Sequence, residues 1–144
     1  SLGCRALTDR PILLDTCAAL WLDNASALSE TAEQELQRAQ TIGTQVFISP
    51  ITAWEVGMLV SKQRLVLTVP PLQWFQSIIA LGVDMAPLSP DILVASSSLP
   101  DPILKDPADR IIAATARALN CRLMTRDGPL LTFARRGHLS AIAC

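Results

Sequence analysis

The segment KDPADRIIAATARAL, residues 105–119, places Asp106 and Asp109 three positions apart at the start of a predicted apolar helix. Asp106 precedes Pro107, which is typical of an N-cap followed by proline at the first helical position. Asp109 would be the third helical residue, where an acid meets the positive end of the helix dipole. Capping boxes favour Glu or Gln there. The pattern therefore also fits a division of roles, in which Asp106 starts the helix and Asp109 points into a site.

Three further acids follow predicted strands or lie early in the helix after one. Asp15 ends the apolar run PILLD, Asp127 ends CRLMTRD, and Glu55 lies one turn into the helix that follows QVFIS. In open α/β sheets, ligands bind beyond the carboxyl ends of the strands, so this fold would bring the acids together. Each also has a structural interpretation, with Asp15 as the N-cap of the next helix and Asp127 as a turn residue before a Gly-Pro pair. Both interpretations stay open.

Glu55 is the acid that is hardest to explain as a structural residue. On a helix it shares a face with the apolar residues Ile51 and Leu59. An unpaired buried carboxylate is costly enough to shift its pKa or to require a positive partner. No Lys or Arg lies at helical spacing N-terminal to it, and Lys62 is two turns later. The sequence thus predicts a metal ion or a distant Arg beside Glu55, and we favour the metal.

Crowded carboxylates repel one another, and a divalent cation relieves that repulsion. Mg²⁺, with Mn²⁺ as the alternative ion, prefers oxygen ligands from carboxylates, waters and phosphates. Such a site suits phosphodiester hydrolysis, because the metal polarises the phosphoryl group and lowers the pKa of a bound water. This chemistry requires no histidine or cysteine nucleophile, and the single histidine, His138, lies outside the acidic segments. We predict His138 to be a surface residue.

The cysteines indicate neither a zinc site nor a disulfide framework. They form no CxxC pair, and the chain is not of the small, cysteine-dense type. We therefore expect reduced thiols in a cytoplasmic protein. The N-terminal region resembles no signal peptide, and its longest apolar run, PILLDTCAALWL, is short and interrupted by an acid, which argues against a membrane span. The cysteines are Cys4, Cys17, Cys121 and Cys144.

The composition predicts one globular domain over residues 1–144, with residues 1–10 as an N-terminal extension. Half of the residues are hydrophobic and only 17% are charged, against about a quarter in typical globular domains. Such a charge-poor chain favours an apolar surface covered by another chain, although a large core would give the same composition. The net charge of −1 provides no general basic field for nucleic acid, but a local patch or a metal would suffice.

Short apolar runs alternate with helical patterns along the chain. This alternation predicts an α/β fold in which a parallel sheet has helices on both faces. Ser-Pro pairs at Ser49 and Ser89 mark two helix starts, and Gly43 and Gly82 mark two helix ends. The predicted strands are PILLD, QVFIS, VDMAPL, CRLMTRD and LSAIAC. The predicted helices are TCAALWL, ETAEQELQRAQTIG, PITAWEVGMLVSK, PLQWFQSIIALG, PDILVASSSL, PADRIIAATARAL and GPLLTFARRG.

Four of these segments resemble, in order and spacing, the motifs of PIN-domain ribonucleases, above all the VapC-type toxins of toxin–antitoxin pairs. They are ILLDTCAALWL, ISPITAWEVGML, KDPADRIIAATARAL and LMTRD. The resemblance runs from about Pro11 to the end of the sequence. It implies a three-layer sandwich around a central parallel sheet of about five short strands. It also implies Mg²⁺- or Mn²⁺-dependent RNA cleavage, homodimerisation and inhibition by a cognate antitoxin protein.

The resemblance assigns roles residue by residue. The four catalytic and metal-binding acids of the family match Asp15, Glu55, Asp109 and Asp127. Asp106 matches an additional acid of toxin-like members, and Thr16 and Thr125 match hydroxyl positions that support the acids. The chain departs from the family at Cys17, where Asn or His is common, and at ILK before Asp106, where many relatives have a His. Neither departure removes a metal ligand, so they concern the substrate.

Basic residues beside the acids are candidates for RNA phosphate contacts, with a solvated surface as the alternative for each. The candidates are Lys105, Arg110 and Arg126, with Arg135 and Arg136 as a rim. The helix PLQWFQSIIALG and the helix after Pro50 are candidates for apolar surface covered by a subunit or an antitoxin.

Two other classes of function remain as alternatives. One is a catalytically silent module that binds RNA or a protein through the same groove. The other is a different Mg²⁺-dependent phosphoryl-transfer domain. A haloacid-dehalogenase-type phosphatase would require Asp at position 17, which is Cys17 here. A receiver domain would require adjacent acids before Asp15 and a late-loop Lys, and neither is evident.

Overall fold

The computed structural model describes residues 9–22 and 27–144. Its sheet has five short strands, and every pair of neighbouring strands is parallel. Cys4 and most of the predicted N-terminal extension lie outside the described residues. The strands are β1 (Ile12–Leu14), β2 (Val46–Ile48), β3 (Asp84–Met85), β4 (Arg122–Thr125) and β5 (Ser140–Ala143).

The strand order β3-β2-β1-β4-β5 places β1 at the centre of the sheet. Leu14, the last residue of β1, is level with Ile48 of β2 and Met124 of β4. The chain leaves β1 between two neighbours whose connections run to opposite sides, which is the switch point at which ligands bind in such sheets. The residues that follow Leu14, Ile48 and Met124 therefore share one carboxyl edge.

Seven helices connect and cover the strands in the described residues. They are α1 (Thr16–Leu20), α2 (Glu30–Ile42), α3 (Pro50–Ser61), α4 (Pro71–Ala80), α5 (Pro90–Ser96), α6 (Pro107–Leu119) and α7 (Gly128–Arg135). Ser29 and Ser49 cap α2 and α3 through their side chains, and Gly43, at φ +76°, ends α2 in the left-handed conformation. The predicted alternation of parallel strands and helices is confirmed, with helix and strand ends within three residues of the sequence patterns.

Alternate residues of β1 contact two separate apolar clusters, one on each face of the sheet. Ile12 and Leu14 pack in a cluster with α1, α2, α3 and α4. Leu13 packs in the other with α6 and α7. Strand side chains point alternately to opposite faces, so a strand buried on both faces is apolar throughout, as β1 is. The result is the three-layer sandwich that the sequence predicted.

A buried acid fastens the loop between α5 and α6, which leads to the acids of α6. Asp101 accepts hydrogen bonds from Arg136 Nη1 at 2.9 and 3.0 Å, from the backbone of Ile103 at 3.0 Å, and pairs with His138 Nε2 at 3.2 Å. The hydrogen bond from Arg136 lowers the pKa of Asp101. Arg136 was predicted to contact RNA at the rim of the site. In the structure its guanidinium forms an ion pair with Asp101. His138 is half-buried rather than a free surface residue, because it also packs against Phe133.

A second buried ion pair lies at the amino-terminal end of β4. Arg122, 5% exposed, lies 3.1 Å from Glu35 of α2 and donates to the carbonyl of Arg10 from Nε and Nη2. A buried guanidinium requires such partners, so these contacts hold α2 against the sheet. Within the described residues, no helix combines the length and the apolar composition that crossing a membrane requires.

Candidate metal centre

Asp15 follows β1 directly and is 6% exposed. Its backbone N–H donates to Met124 O at 2.9 Å, which extends the pairing of β1 with β4. Its Oδ1 accepts from the backbone N–H of Thr16 at 2.9 Å, so it caps α1. Its Oδ2 accepts from Thr125 Oγ1 at 2.7 Å and from Cys17 Sγ at 3.6 Å. Burial raises the pKa of Asp15, and the Thr125 hydrogen bond opposes the rise.

Glu55 faces the same edge from α3. Its Oε1 accepts a hydrogen bond from Thr16 Oγ1 at 2.6 Å. Burial raises its pKa, the Thr16 hydrogen bond opposes the rise, and the charges of Asp15, Asp106 and Asp127 add to it. The distant Arg considered as an alternative partner is not found in the described part of the chain, where no ion pair includes Glu55.

The two aspartates that open α6 have different surroundings. Asp106 is exposed and caps the helix, because its Oδ1 accepts from the backbone N–H of Asp109 at 3.1 Å. Asp109 is half-buried, and its carboxylate accepts no hydrogen bond from the residues that the structure describes. Burial, followed by repulsion from Asp127, Asp106 and the other acids, raises the pKa of Asp109 to about 8. This carboxylate therefore lies in a strongly negative environment.

Asp127 comes after β4 and begins α7. Its Oδ2 accepts from the backbone N–H of Leu130 at 3.0 Å, and its own N–H donates to Thr125 Oγ1 at 3.0 Å. Thr125 in turn donates to Asp15 Oδ2. The buried hydroxyl of Thr125 thus connects the residues that follow β1 and β4, and it fixes how they lie relative to each other.

The acids act on one another electrostatically, although they are far apart in sequence. The charge of Asp127 raises the pKa of Asp15, Glu55 and Asp109, and the charge of Asp106 raises that of the latter two. Among residues 9–22 and 27–144, the ion pairs use Asp9, Glu35 and Asp101 instead. The five acids at this edge therefore form a negative field that no described cation neutralises.

The donor set fits a hard divalent cation. Carboxylate oxygens are the ligands that Mg²⁺ and Mn²⁺ take, and acids with raised pKa values gain most from a positive ion. Within the described residues, no group of three Asp, Glu, His or Cys side chains is arranged to hold an ion by itself. An open arrangement of this kind suits Mg²⁺, which keeps several waters and takes substrate phosphate oxygens as further ligands.

Thr52 was missed by the sequence analysis. It is completely buried on α3, and its Oγ1 lies 2.9 Å from Thr16 Oγ1. One signal was available, because Thr52 lies three residues before Glu55, on the same side of the helix.

The three predicted phosphate-binding residues differ in their contacts. Arg110 donates to the carbonyls of Ser96 at 2.9 Å and Leu104 at 2.8 Å, so its guanidinium connects α6 to the end of α5 and to the α5–α6 loop. Arg126 is exposed, donates to the Ala27 and Cys144 carbonyls, and lies over the ring of Trp21. Lys105 is exposed, and no described residue accepts a hydrogen bond from it.

Comparison with known proteins identifies the same family over most of the chain. The PIN domain family model matches residues 12–136. Ribonuclease VapC22 of Mycobacterium tuberculosis is 32% identical over 117 residues, which cover 81% of this chain and 86% of the relative.

Two solved structures have a similar fold. VapBC2 from Rickettsia felis, bound to a DNA fragment from their promoter, matches with a TM-score of 0.64 and 19% identity, covering 92% of this chain and 98% of that one. FitAB bound to the IR36 DNA fragment matches with a TM-score of 0.55 and 19% identity, covering 92% and 94%. At this identity the two structures support the fold alone.

Proposed function

The chain belongs to the PIN-domain family, and from this membership we propose that it is a metal-dependent endoribonuclease that hydrolyses RNA phosphodiester bonds. The observation that carries the proposal is the uncompensated group of acids at the carboxyl edge, in which the pKa of Asp109 is raised to about 8. Burial is the largest cause of that rise and repulsion from the neighbouring acids adds to it, so a positive ion beside Asp109 would be stabilising. A ribonuclease relative at 32% identity supports the choice of RNA as substrate.

In the proposed mechanism, Asp15, Glu55, Asp109 and Asp127 hold Mg²⁺ or Mn²⁺. A bound ion of this kind would polarise the scissile phosphate, acidify a water and shield the approach of an anionic substrate. Thr125 donates to Asp15, and Thr16 donates to Glu55, so each hydroxyl orients one carboxylate. Asp106 supplies additional negative charge beside Asp109, and the exposed Lys105 would contact an RNA phosphate.

Cleavage of single-stranded RNA by the purified chain should require added Mg²⁺ or Mn²⁺ and stop in excess EDTA, because the acids cannot approach phosphate without a counter-ion. A titration of each ion against cleavage of an end-labelled RNA measures this, with Ca²⁺ as a comparison. Cleavage that persists in EDTA would contradict the proposal. RNA that is bound but left intact at every ion concentration would instead favour the alternative, a binding module without catalytic activity. The presence of all four acids in this chain argues against that alternative.

We further propose that the chain is the toxin of a toxin–antitoxin pair, that it acts in the cytoplasm, and that it forms a homodimer. The 32% identity to Ribonuclease VapC22 supports this role. Large apolar side chains on the surface support a protein partner: Trp54 on α3 is 56% exposed, Leu72 on α4 is 64% exposed and Val66 between them is 91% exposed. Trp74 and Phe75, by contrast, are core residues.

Induced expression of the chain in a bacterial host should arrest growth, and expression of the Asp15→Asn variant at the same level should not. The gene for a small protein beside its own gene, when co-expressed, should restore growth and co-purify with the chain. Viable-cell counts and the level of intact RNA measure the effect. Normal growth with intact RNA, despite abundant folded protein, would contradict the toxin role.

A further inference from the structure

A fully buried hydroxyl extends the hydrogen bonds around Glu55. Thr52 Oγ1 lies 2.9 Å from Thr16 Oγ1, which lies 2.6 Å from Glu55 Oε1. Thr52 and Thr16 are 0% and 7% exposed, so water has little access to either hydroxyl. Thr52 and Glu55 both belong to α3, whereas Thr16 is the first residue of α1, directly after Asp15. The three side chains thus join the helix that carries Glu55 to the helix that Asp15 begins.

The order of donors follows from counting hydrogens. A hydroxyl has one hydrogen to donate, and an ionised carboxylate can only accept. When Glu55 is ionised, as a metal ligand must be, the hydrogen of Thr16 is directed to Glu55. The contact between the hydroxyls then requires Thr52 to donate to Thr16, so the order is Thr52 to Thr16 to Glu55.

This order gives Thr52 an effect on a carboxylate that it does not touch. Each hydrogen bond in a chain polarises the next, so a donor on Thr16 strengthens the bond from Thr16 to Glu55. Thr52 also favours one rotamer of Thr16, because rotating the Thr16 side chain away would leave the buried Thr52 hydroxyl without its hydrogen-bond partner. Because the backbone N–H of Thr16 donates to Asp15 Oδ1, the same contacts set where Glu55 lies relative to Asp15.

We propose that Thr52 is a positioning residue of the metal centre, which donates its hydroxyl to Thr16 and thereby holds Glu55 in place beside Asp15 for a divalent ion. This inference rests on the proposed function, since it concerns the same acids. Its role is indirect: Thr52 orients Thr16, Thr16 orients Glu55, and only Glu55 would reach the ion. Partners of this kind typically change metal affinity or activity by about 10- to 100-fold when they are removed.

The test compares Thr52→Val, which keeps the shape and removes the hydroxyl, with Thr52→Ser, which keeps the hydroxyl. Mn²⁺ affinity is measured without RNA, from the electron paramagnetic resonance signal of free Mn²⁺, and thermal unfolding in EDTA reports the fold. We expect Thr52→Val to weaken Mn²⁺ binding by about 10-fold or more, and Thr52→Ser to stay within about threefold of the parent chain. The Mn²⁺ concentration for half-maximal RNA cleavage should rise with the weaker affinity. If Thr52→Val does not fold, Thr52→Ala replaces it.

A double-mutant cycle with Thr16→Ala separates the proposed role from general packing. Once the Thr16 hydroxyl is absent, Thr52→Val should change Mn²⁺ affinity less than about twofold, because the two residues act through one contact. Parent-like Mn²⁺ affinity in Thr52→Val, an equal loss in Thr52→Ser, or additive losses in the double variant would each overturn the inference. A parent chain that neither binds Mn²⁺ nor cleaves RNA would overturn the proposed function itself, so the two failures are distinguishable.

Discussion

Asp15→Asn should lower the rate of RNA cleavage by on the order of 10³-fold, since a metal's electrostatic contribution of several kcal/mol depends on its ligands. The carboxylate of Asp15 accepts hydrogen bonds from three neighbouring residues of the site, Thr16, Thr125 and Cys17. Asn has the same shape, and its amide oxygen can still accept from the Thr16 N–H. The Thr125 hydroxyl can rotate to accept from the new amide. The fold should therefore survive while the charge is lost, and single-turnover cleavage at saturating Mg²⁺ measures the effect.

The matched control for this substitution is Asp91→Asn, the same chemical change in the first turn of α5, where the side chain is exposed. It should cleave RNA at the parent rate. Far-ultraviolet circular dichroism and unfolding in EDTA should show both variants folded. An Asp15→Asn protein that cleaves within about threefold of the parent would remove Asp15 from the metal centre, and with it the assignment of the other acids.

The structural and functional interpretations of the acids turn out to be compatible. Asp15, Asp106 and Asp127 each cap a helix, as the sequence allowed. An N-cap uses one carboxylate oxygen. The other oxygen of Asp15 accepts from Thr125 and Cys17, whereas no described residue donates to the other oxygen of Asp106 or Asp127. Their grouping was predictable because the parallel strands end at one edge, and the residue after each strand can be read from an apolar run followed by an acid. Which of the acids bind a metal remains a prediction.

The contacts of the basic residues and of Thr52 could not be predicted in this way. Arg136 reaches Asp101 across 35 positions, and Thr16 reaches Thr52 across 36. Such contacts depend on how helices and loops pack, whereas local patterns specify only the face on which a side chain lies. Arg110 illustrates the consequence, because its place beside the acids suggested RNA, whereas its guanidinium donates to the carbonyls of Ser96 in α5 and Leu104 in the α5–α6 loop.

Asp109→Asn should stabilise the protein in EDTA at pH 8 and leave its stability at pH 5 nearly unchanged. Folding raises the pKa of Asp109 from 3.8 to about 8, so between these values the folded chain binds a proton that the unfolded chain releases. The contribution of Asp109 to the free energy of unfolding is therefore fully present below the unfolded pKa of 3.8 and is lost progressively as the pH rises from there to about 8. Asn cannot ionise, so the variant should lack this loss. Because Asp109 is only half-buried, we expect a gain of about 1 kcal/mol, or roughly 2–4 °C in Tm.

The same substitution should remove the stabilisation that divalent ions provide. Mg²⁺ or Mn²⁺ should raise the Tm of the parent chain more at pH 8 than at pH 5, because protons compete with the ion for the carboxylates. Asp109→Asn should show a much smaller rise, and Asp91→Asn should behave like the parent. Differential scanning calorimetry at both pH values, with EDTA or with Mn²⁺, measures all four conditions.

If Asp109→Asn were less stable than the parent in EDTA at pH 8, its carboxylate would be a structural partner and not part of a repulsive group. A carboxylate that serves to bind a cation lowers the stability of the metal-free protein. Removing the charge of Asp109 should therefore raise the Tm in EDTA and also abolish the rise in Tm that metal ions cause.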